Sequence, residues 1–312
     1  MHHAGRGALA RRELSAQSER LLVVGAGTMG AQIALQAALQ GVNVSLVDVD
    51  PAQLHRATAS NRHWLERRVA RGKLDQDSAE AAADRVTGSS DLAGAAAASA
   101  WAIEAVIEDE AAKRAVFAEL DAHLPADAGM ATNSSNIVVS RLADATRRPE
   151  LCCNMHFFHP VLVLDICEVV RGPQTSDETV RRAAEWSRRM GRTPIVVERE
   201  IDGFIVNRVL GAASREAFAL LADGVASVED IDTAARSGLN WPMGPFELAD
   251  FSGLDVVLGV RRDRLHREGD AGDDATVRIL EGLVSAGRLG RKSGRGFYDY
   301  SVDPPAALPP PG

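Results

Sequence analysis

Two runs decide how the chain folds: Leu21-Leu-Val-Val-Gly25-Ala-Gly27-Thr28-Met29-Gly30, and the Val44-Ser-Leu-Val-Asp48 that follows it. Leu21 to Val24 is unbroken apolar sequence, as a parallel strand buried on both faces requires. Gly25, Gly27 and Gly30 fall in the G-x-G-x-x-G pattern, and a helical stretch from Ala31 to Leu39 stops at Gly41. In that pattern the first glycine permits the turn, the second lets the backbone approach a pyrophosphate, and the third brings the helix close to the sheet. The helix N-terminus, with unpaired N–H groups and the positive end of its dipole, then receives the pyrophosphate. Asp48 ends the second strand about 20 residues on, where a carboxylate grips a ribose 2′-OH. A carboxylate there repels a 2′-phosphate, and no arginine follows until Arg56, so NAD is favoured over NADP. A glycine triplet alone also marks ordinary turns; strand, helix and acidic strand end together make this a dinucleotide site.

At 312 residues the chain has room for two domains. A net charge of -8 speaks against a nucleic-acid surface or a polybasic membrane patch, and no apolar run is long enough to span a bilayer. Residues 1–18 read as a flexible tail without the apolar core of a secretory signal. Cys152, Cys153 and Cys167 form no C-x-x-C pair and sit in apolar segments, the pattern of buried thiols in a reducing cytoplasm.

Strands and helices alternate up to Thr193–Val197, which makes residues 19–199 an α/β, Rossmann-type domain. From 200 to 302 the pattern is helical, with helices expected over 201–221, 228–237, 245–267 and 275–286, and the Pro-rich 303–312 reads as a disordered tail. Within the first domain, the helix after Pro51 carries Arg67, Arg71 and Lys73 near its end, read as either a solvated face or a grip for a phosphate-bearing substrate arm. Glu108 and Lys113 follow the strand that begins at Trp101, beyond the carboxyl end where ligands of open α/β sheets bind. Asn133-Ser134-Ser135-Asn136 leads into a helix expected over 137–145, so capping explains these residues as well as function does. His156 and Glu168 fall on neighbouring strands if the chain turns back through Pro160 to Val163; on spacing alone His156 reads more readily as a core residue than as a catalyst. His156 and His159 lack the further ligands of a zinc site, so no metal is expected.

Taken together, eight segments resemble the L-3-hydroxyacyl-CoA dehydrogenase family, including its short-chain 3-hydroxybutyryl-CoA members. They are 25–30 (GAGTMG), 104–108 (EAVIE), 132–135 (TNSS), 155–160 (MHFFHP), 168–172 (EVVRG), 203–208 (GFIVNR), 242–248 (PMGPFEL) and 289–300 (LGRKSGRGFYDY). The resemblance spans Leu21 to Tyr300 and implies a Rossmann-type domain followed by an all-helical substrate and dimerisation domain, with a homodimer formed through the latter. It implies that His156 is the general acid/base and Glu168 its partner, that Ser135 and Asn207 hydrogen-bond the substrate oxygen or the histidine, and that Asn133, Glu108 and Lys113 lie by the NAD. Oxidising a secondary alcohol needs a base for the hydroxyl proton, and histidine suits a step that runs both ways near neutral pH. Three departures from the common pattern flank this set: His159 for Asn, Asp165 for Lys and Asn136 for Ser.

The reaction implied is NAD-dependent interconversion of a (3S)-3-hydroxyacyl-CoA and its 3-oxoacyl-CoA. Three alternatives stand beside it: the same chemistry on a carrier-protein thioester, a related dehydrogenase of a free polyol or sugar acid, and a non-catalytic dinucleotide-binding protein. Arg67, Arg71 and Lys73 suit the phosphates of CoA, but also that of a phosphopantetheine arm.

Overall fold

The computed structural model describes residues 20–268 and 274–309, and the chain divides into two compact units, 1–205 and 206–312. The expected N-terminal tail lies outside the described residues.

The first unit is built on an eight-stranded sheet of order β3-β2-β1-β4-β5-β6-β7-β8. Its strands are β1 (Leu21–Val24), β2 (Val44–Val47), β3 (Val86–Ser89), β4 (Trp101–Glu104), β5 (Gly129–Thr132), β6 (Cys152–Phe157), β7 (Ile166–Val170) and β8 (Thr193–Val197). The strand neighbours are parallel throughout except β6 and β7, which pair antiparallel. Side chains of β1 alternate between the two faces, Leu21 and Val23 to one and Leu22 and Val24 to the other. On the first face pack α1 (Thr28–Leu39), α2 (Pro51–Ala70) and α7 (Asp177–Arg189), through Ile33, Leu54 and Trp186. On the other pack α4 (Leu92–Ala97) and α5 (Glu110–His123), through Ala96, Phe117 and Leu120. Short α3 (Gln76–Asp84) adds Ala79 and Ala82 to a smaller cluster with Leu35 of α1. Helices on both faces of a parallel sheet make this the doubly wound, Rossmann-like architecture.

The helix expected over 137–145 shrinks to α6, Ser140–Ala143. The residues before it are drawn off by side-chain hydrogen bonds that compete with helical ones, as described below. Helix α8 (Val206–Ala222) starts five residues later than expected, because Gly203 and Phe204 take positive φ values of 74° and 46°.

The second unit packs α8, α9 (Val228–Gly238), α10 (Pro245–Ser252), α11 (Leu254–Glu268) and α12 (Asp274–Ser285) around Phe218, Phe246 and Phe297. The three rings meet with centroids 4.7–5.6 Å apart. The single helix expected over 245–267 is two, broken where Gly253 adopts φ 94°. The described part of the Pro-rich tail is folded rather than disordered. Its β10 (Ala306–Ala307) pairs antiparallel with β9 (Tyr298–Asp299), and Arg288 Nη1 donates to the Pro309 carbonyl at 2.8 Å.

Candidate active site

The three glycines after β1 meet different surroundings. Gly25 has φ 104°, and a Cβ on it would lie 2.5 Å from the Ala105 carbonyl oxygen. A Cβ on Gly30 would lie 1.8 Å from the Gly25 oxygen, so helix and turn touch backbone to backbone. Gly27, by contrast, would place a Cβ with nothing within 4 Å. Space above the N-terminus of a twelve-residue helix is what an incoming pyrophosphate needs, and these residues fit a dinucleotide. Asp48 is tied to this loop: its Oδ2 accepts from the Ala26 N–H at 2.7 Å and its Oδ1 from the Asp50 N–H at 2.9 Å. Thr28 is exposed at the start of α1, and Met29 packs partly against the core.

Beyond β4 and β5 lies a buried charge network. Glu104 is fully buried; its Oε1 accepts from Lys113 Nζ at 2.8 Å and the Val106 N–H at 2.7 Å, and its Oε2 from Thr132 Oγ1 at 2.7 Å. Lys113, 1% exposed, also lies 3.2 Å from Glu108 Oε2. The ammonium is therefore turned inward between two carboxylates instead of outward, as the reading of Lys113 as a cofactor contact would have it. The half-exposed Glu108 is the outward end of this network, and it accepts a hydrogen bond from Ser134 Oγ.

The antiparallel β6–β7 pair brings His156 and Glu168 directly opposite each other. Their Nδ1 and Oε2 atoms are 2.8 Å apart, with Glu168 fully buried and His156 nearly so. An ionised carboxylate can only accept, so the contact places a proton on Nδ1, and in a neutral imidazole Nε2 is then the acceptor. The second oxygen of Glu168 is held by the Ile205 N–H at 3.0 Å. Phe158 and Phe204 pack against the imidazole with centroids at 4.3 and 5.5 Å. Among the described residues nothing occupies Nε2. The arrangement is a base with fixed tautomer and a free nitrogen, equipped to take or return one proton.

Asn133 follows β5, and its Oδ1 accepts from the Phe157 N–H at 3.0 Å, joining the end of β5 to the strand that carries His156. Ser135 is half-buried and lies in the irregular segment between Ser134 and Val139. Asn207 sits exposed in the first turn of α8, in the second unit. Arg67 lies in the last turn of α2, Arg71 caps its end and Lys73 follows; all three are exposed and, among the described residues, free of ion pairs. Asp165 faces Arg192, Oδ1 to Nη1 3.9 Å, and accepts from Thr193 Oγ1 at 3.4 Å. The three cysteines are buried and unpaired, and burial pushes the thiols of Cys152 and Cys167 up to about 12, so they remain neutral. The sequence reading passed over Asn154, Thr132 and Ser134. The signal was there for Asn154: a polar residue two positions before His156 in an apolar strand shares its face.

Comparison with known proteins follows the same division. Residues 20–201 match the 3-hydroxyacyl-CoA dehydrogenase NAD binding domain, and residues 203–300 the 3-hydroxyacyl-CoA dehydrogenase C-terminal domain. The 3-hydroxybutyryl-CoA dehydrogenase of Bradyrhizobium diazoefficiens is 39% identical over 290 residues, which is 92% of this chain and 97% of that protein. The probable 3-hydroxybutyryl-CoA dehydrogenase of Bacillus subtilis is 37% identical, over 90% of this chain and 97% of its own length. Among solved structures, (S)-3-hydroxybutyryl-CoA dehydrogenase from Ralstonia eutropha superposes with a TM-score of 0.82 at 36% identity, covering 91% of this chain and 99% of that one.

Proposed function

The chain belongs to the 3-hydroxyacyl-CoA dehydrogenase family, and from that premise we propose that it interconverts short-chain (3S)-3-hydroxyacyl-CoA and 3-oxoacyl-CoA, of the 3-hydroxybutyryl type, with NAD. The observation that carries this reading is the His156–Glu168 pair: a buried 2.8 Å contact that leaves one imidazole nitrogen free. In the oxidation direction His156 Nε2 takes the hydroxyl proton while hydride leaves the same carbon. Glu168 keeps the imidazole in the tautomer that can accept, and stabilises the imidazolium that results. Ser135 and Asn207 donate to the developing alkoxide. Gly27 with the N-terminus of α1, Asp48, Glu108 and Asn133 would hold NAD, which when bound would supply the hydride acceptor.

Arg67, Arg71 and Lys73 hold the phosphates of the CoA arm; that none of them is ion-paired among the described residues supports this. A homodimer through the second unit is part of the same reading, supported by the apolar side chains it leaves exposed: Val209 on α8, Phe251 on α10, and Val256 and Val260 on α11. A cytoplasmic setting fits three cysteines with no disulfide among them. Among the described residues no helix is long and apolar enough to cross a membrane.

The direct test is NADH consumption with acetoacetyl-CoA, run in parallel with NADPH. Rapid turnover selective for NADH supports both the reaction and the role of Asp48. NADH binding without turnover of the CoA ester, alongside turnover of the matching carrier-protein ester, replaces CoA with a tethered substrate. Activity that survives His156→Ala overturns the mechanism.

A further inference from the structure

We propose that Asn154 is a positioning residue for this reaction: it fixes the segment bearing Ser135 to the strand bearing His156. Asn154 lies on β6 two residues before His156, on the same face of the strand, and is fully buried. Its amide is spent entirely on the backbone between β5 and α6. Oδ1 accepts from the Val139 N–H at 2.9 Å, and Nδ2 donates to the carbonyls of Ser134 at 3.2 Å and Ile137 at 3.3 Å. Three backbone groups that neither a sheet nor a helix satisfies thus converge on one side chain. Ser135 is held between two of those tethers.

A second handle works from the other side, where Ser134 Oγ donates to Glu108 and accepts from the Ile137 N–H at 2.8 Å. The Glu108 handle belongs to the dinucleotide end of the sheet and the Asn154 handle to the histidine strand. Of the two, Asn154 ties the residues on either side of Ser135 to the strand of His156, complementing the Asn133 Oδ1 bond to the Phe157 N–H just before that segment. Both a donor and an acceptor are needed at that point, so asparagine is required and its isostere aspartate is not equivalent.

This role rests on the reading that His156 and Ser135 serve one reacting oxygen. The test is Asn154→Asp, which keeps the acceptor for Val139 but sets a carboxylate against two carbonyl oxygens. With acetoacetyl-CoA and NADH near pH 7.5, kcat relative to wild type is expected to fall about tenfold or more, the order a displaced group costs, while NADH affinity stays within about twofold. Lowering the pH toward 5.5 should restore part of the ratio, because a protonated carboxyl regains one donor. In a Ser135→Ala background the same change should add less than a further twofold, since its effect passes through Ser135.

A ratio flat with pH, a full additional loss in the Ser135→Ala background, or a matching loss of NADH affinity overturns the positioning role. If Asn154→Asp does not fold by circular dichroism, Asn154→Ser carries the same cycle, with a loss of kcat but no recovery in acid. His156→Ala run alongside separates the two ideas. If it retains turnover the underlying reading fails; if it is inactive while Asn154→Asp behaves as wild type, only the positioning role fails.

Discussion

Glu104 and Glu168 in the first unit and Asp232 and Asp250 in the second are equally hidden, each at most 1% exposed, yet they are partnered in opposite ways. The first two face side chains that can carry a proton, Lys113 and His156. The second two face groups that do not titrate near neutrality. Asp232 accepts from the N–H groups of Phe246 and Glu247 at 2.9 Å each and from Tyr298 Oη at 2.8 Å. Asp250 accepts from the N–H groups of Phe297 and Tyr298 and from Tyr300 Oη. Asp232 thus caps α10 from a distant helix, and Asp250 fastens the chain's last turns to α10. Burial is the same in both units; what differs is whether the partner can give its proton away. A buried acid beside neutral donors secures a fold, and one beside a titratable group can serve chemistry.

His156→Ala breaks the contrast most sharply. Turnover should fall roughly 10²- to 10⁴-fold, the usual worth of a general acid/base, and stability should fall by about 1–3 kcal/mol because buried Glu168 loses one of its hydrogen-bond partners. Steady-state kinetics beside a thermal melt read both quantities. Next in size is Lys113→Met, which leaves Glu104 charged, buried and unpaired; about 3–5 kcal/mol of stability should be lost in urea denaturation. A loss under 1 kcal/mol would mean that Thr132 and the Val106 N–H suffice for Glu104.

Asp250→Asn is a smaller change. It turns one acceptor into a donor facing N–H and O–H groups, at a cost of about 1–3 kcal/mol, and it should leave kcat unaltered because no proton moves there. Smallest is a pH effect of opposite sign in the two units. Burial raises the pKa of Asp232 and Asp250, and their hydrogen bonds only partly offset it. Their contribution is therefore full below the ordinary carboxylate range and fades as pH rises through the raised values. Asp121, in the first unit, runs the other way: burial raises its pKa, but hydrogen bonds from Arg147 and Arg148 outweigh that and lower it overall. Its contribution is present above the ordinary value and is lost as pH falls through the lowered one. Denaturation curves of wild type, Asp250→Asn and Asp121→Asn between pH 3 and 7 separate the slopes; identical slopes in all three refute the assignment.

How much of this was legible beforehand follows from how local each signal is. The strand–glycine–helix unit and Asp48 lie within thirty residues and could be read directly. Helix breaks at Gly253 and at Gly203-Phe204 were missed because apolar periodicity runs straight through them, and only the backbone angles show the stop. For His156 and Glu168 spacing left the matter open, since the answer depends on register, which apolar runs do not specify. The inward turn of Lys113 could not be read at all. It depends on Glu104 and Thr132 meeting across two strands. Asn154 is visible as a polar residue in an apolar strand, but its partners are backbone atoms, which leave no trace in side-chain patterns.

The one antiparallel pairing in the sheet has a bearing on inheritance. His156 and Glu168 are separated by only 12 positions, so the hairpin over β6 and β7 holds this buried pair on one short run of coding sequence. A single recombination cassette could therefore move it whole between related genes. The dinucleotide end offers no such cassette, because Gly27, Asp48, Glu108 and Asn133 come from four separate strand ends.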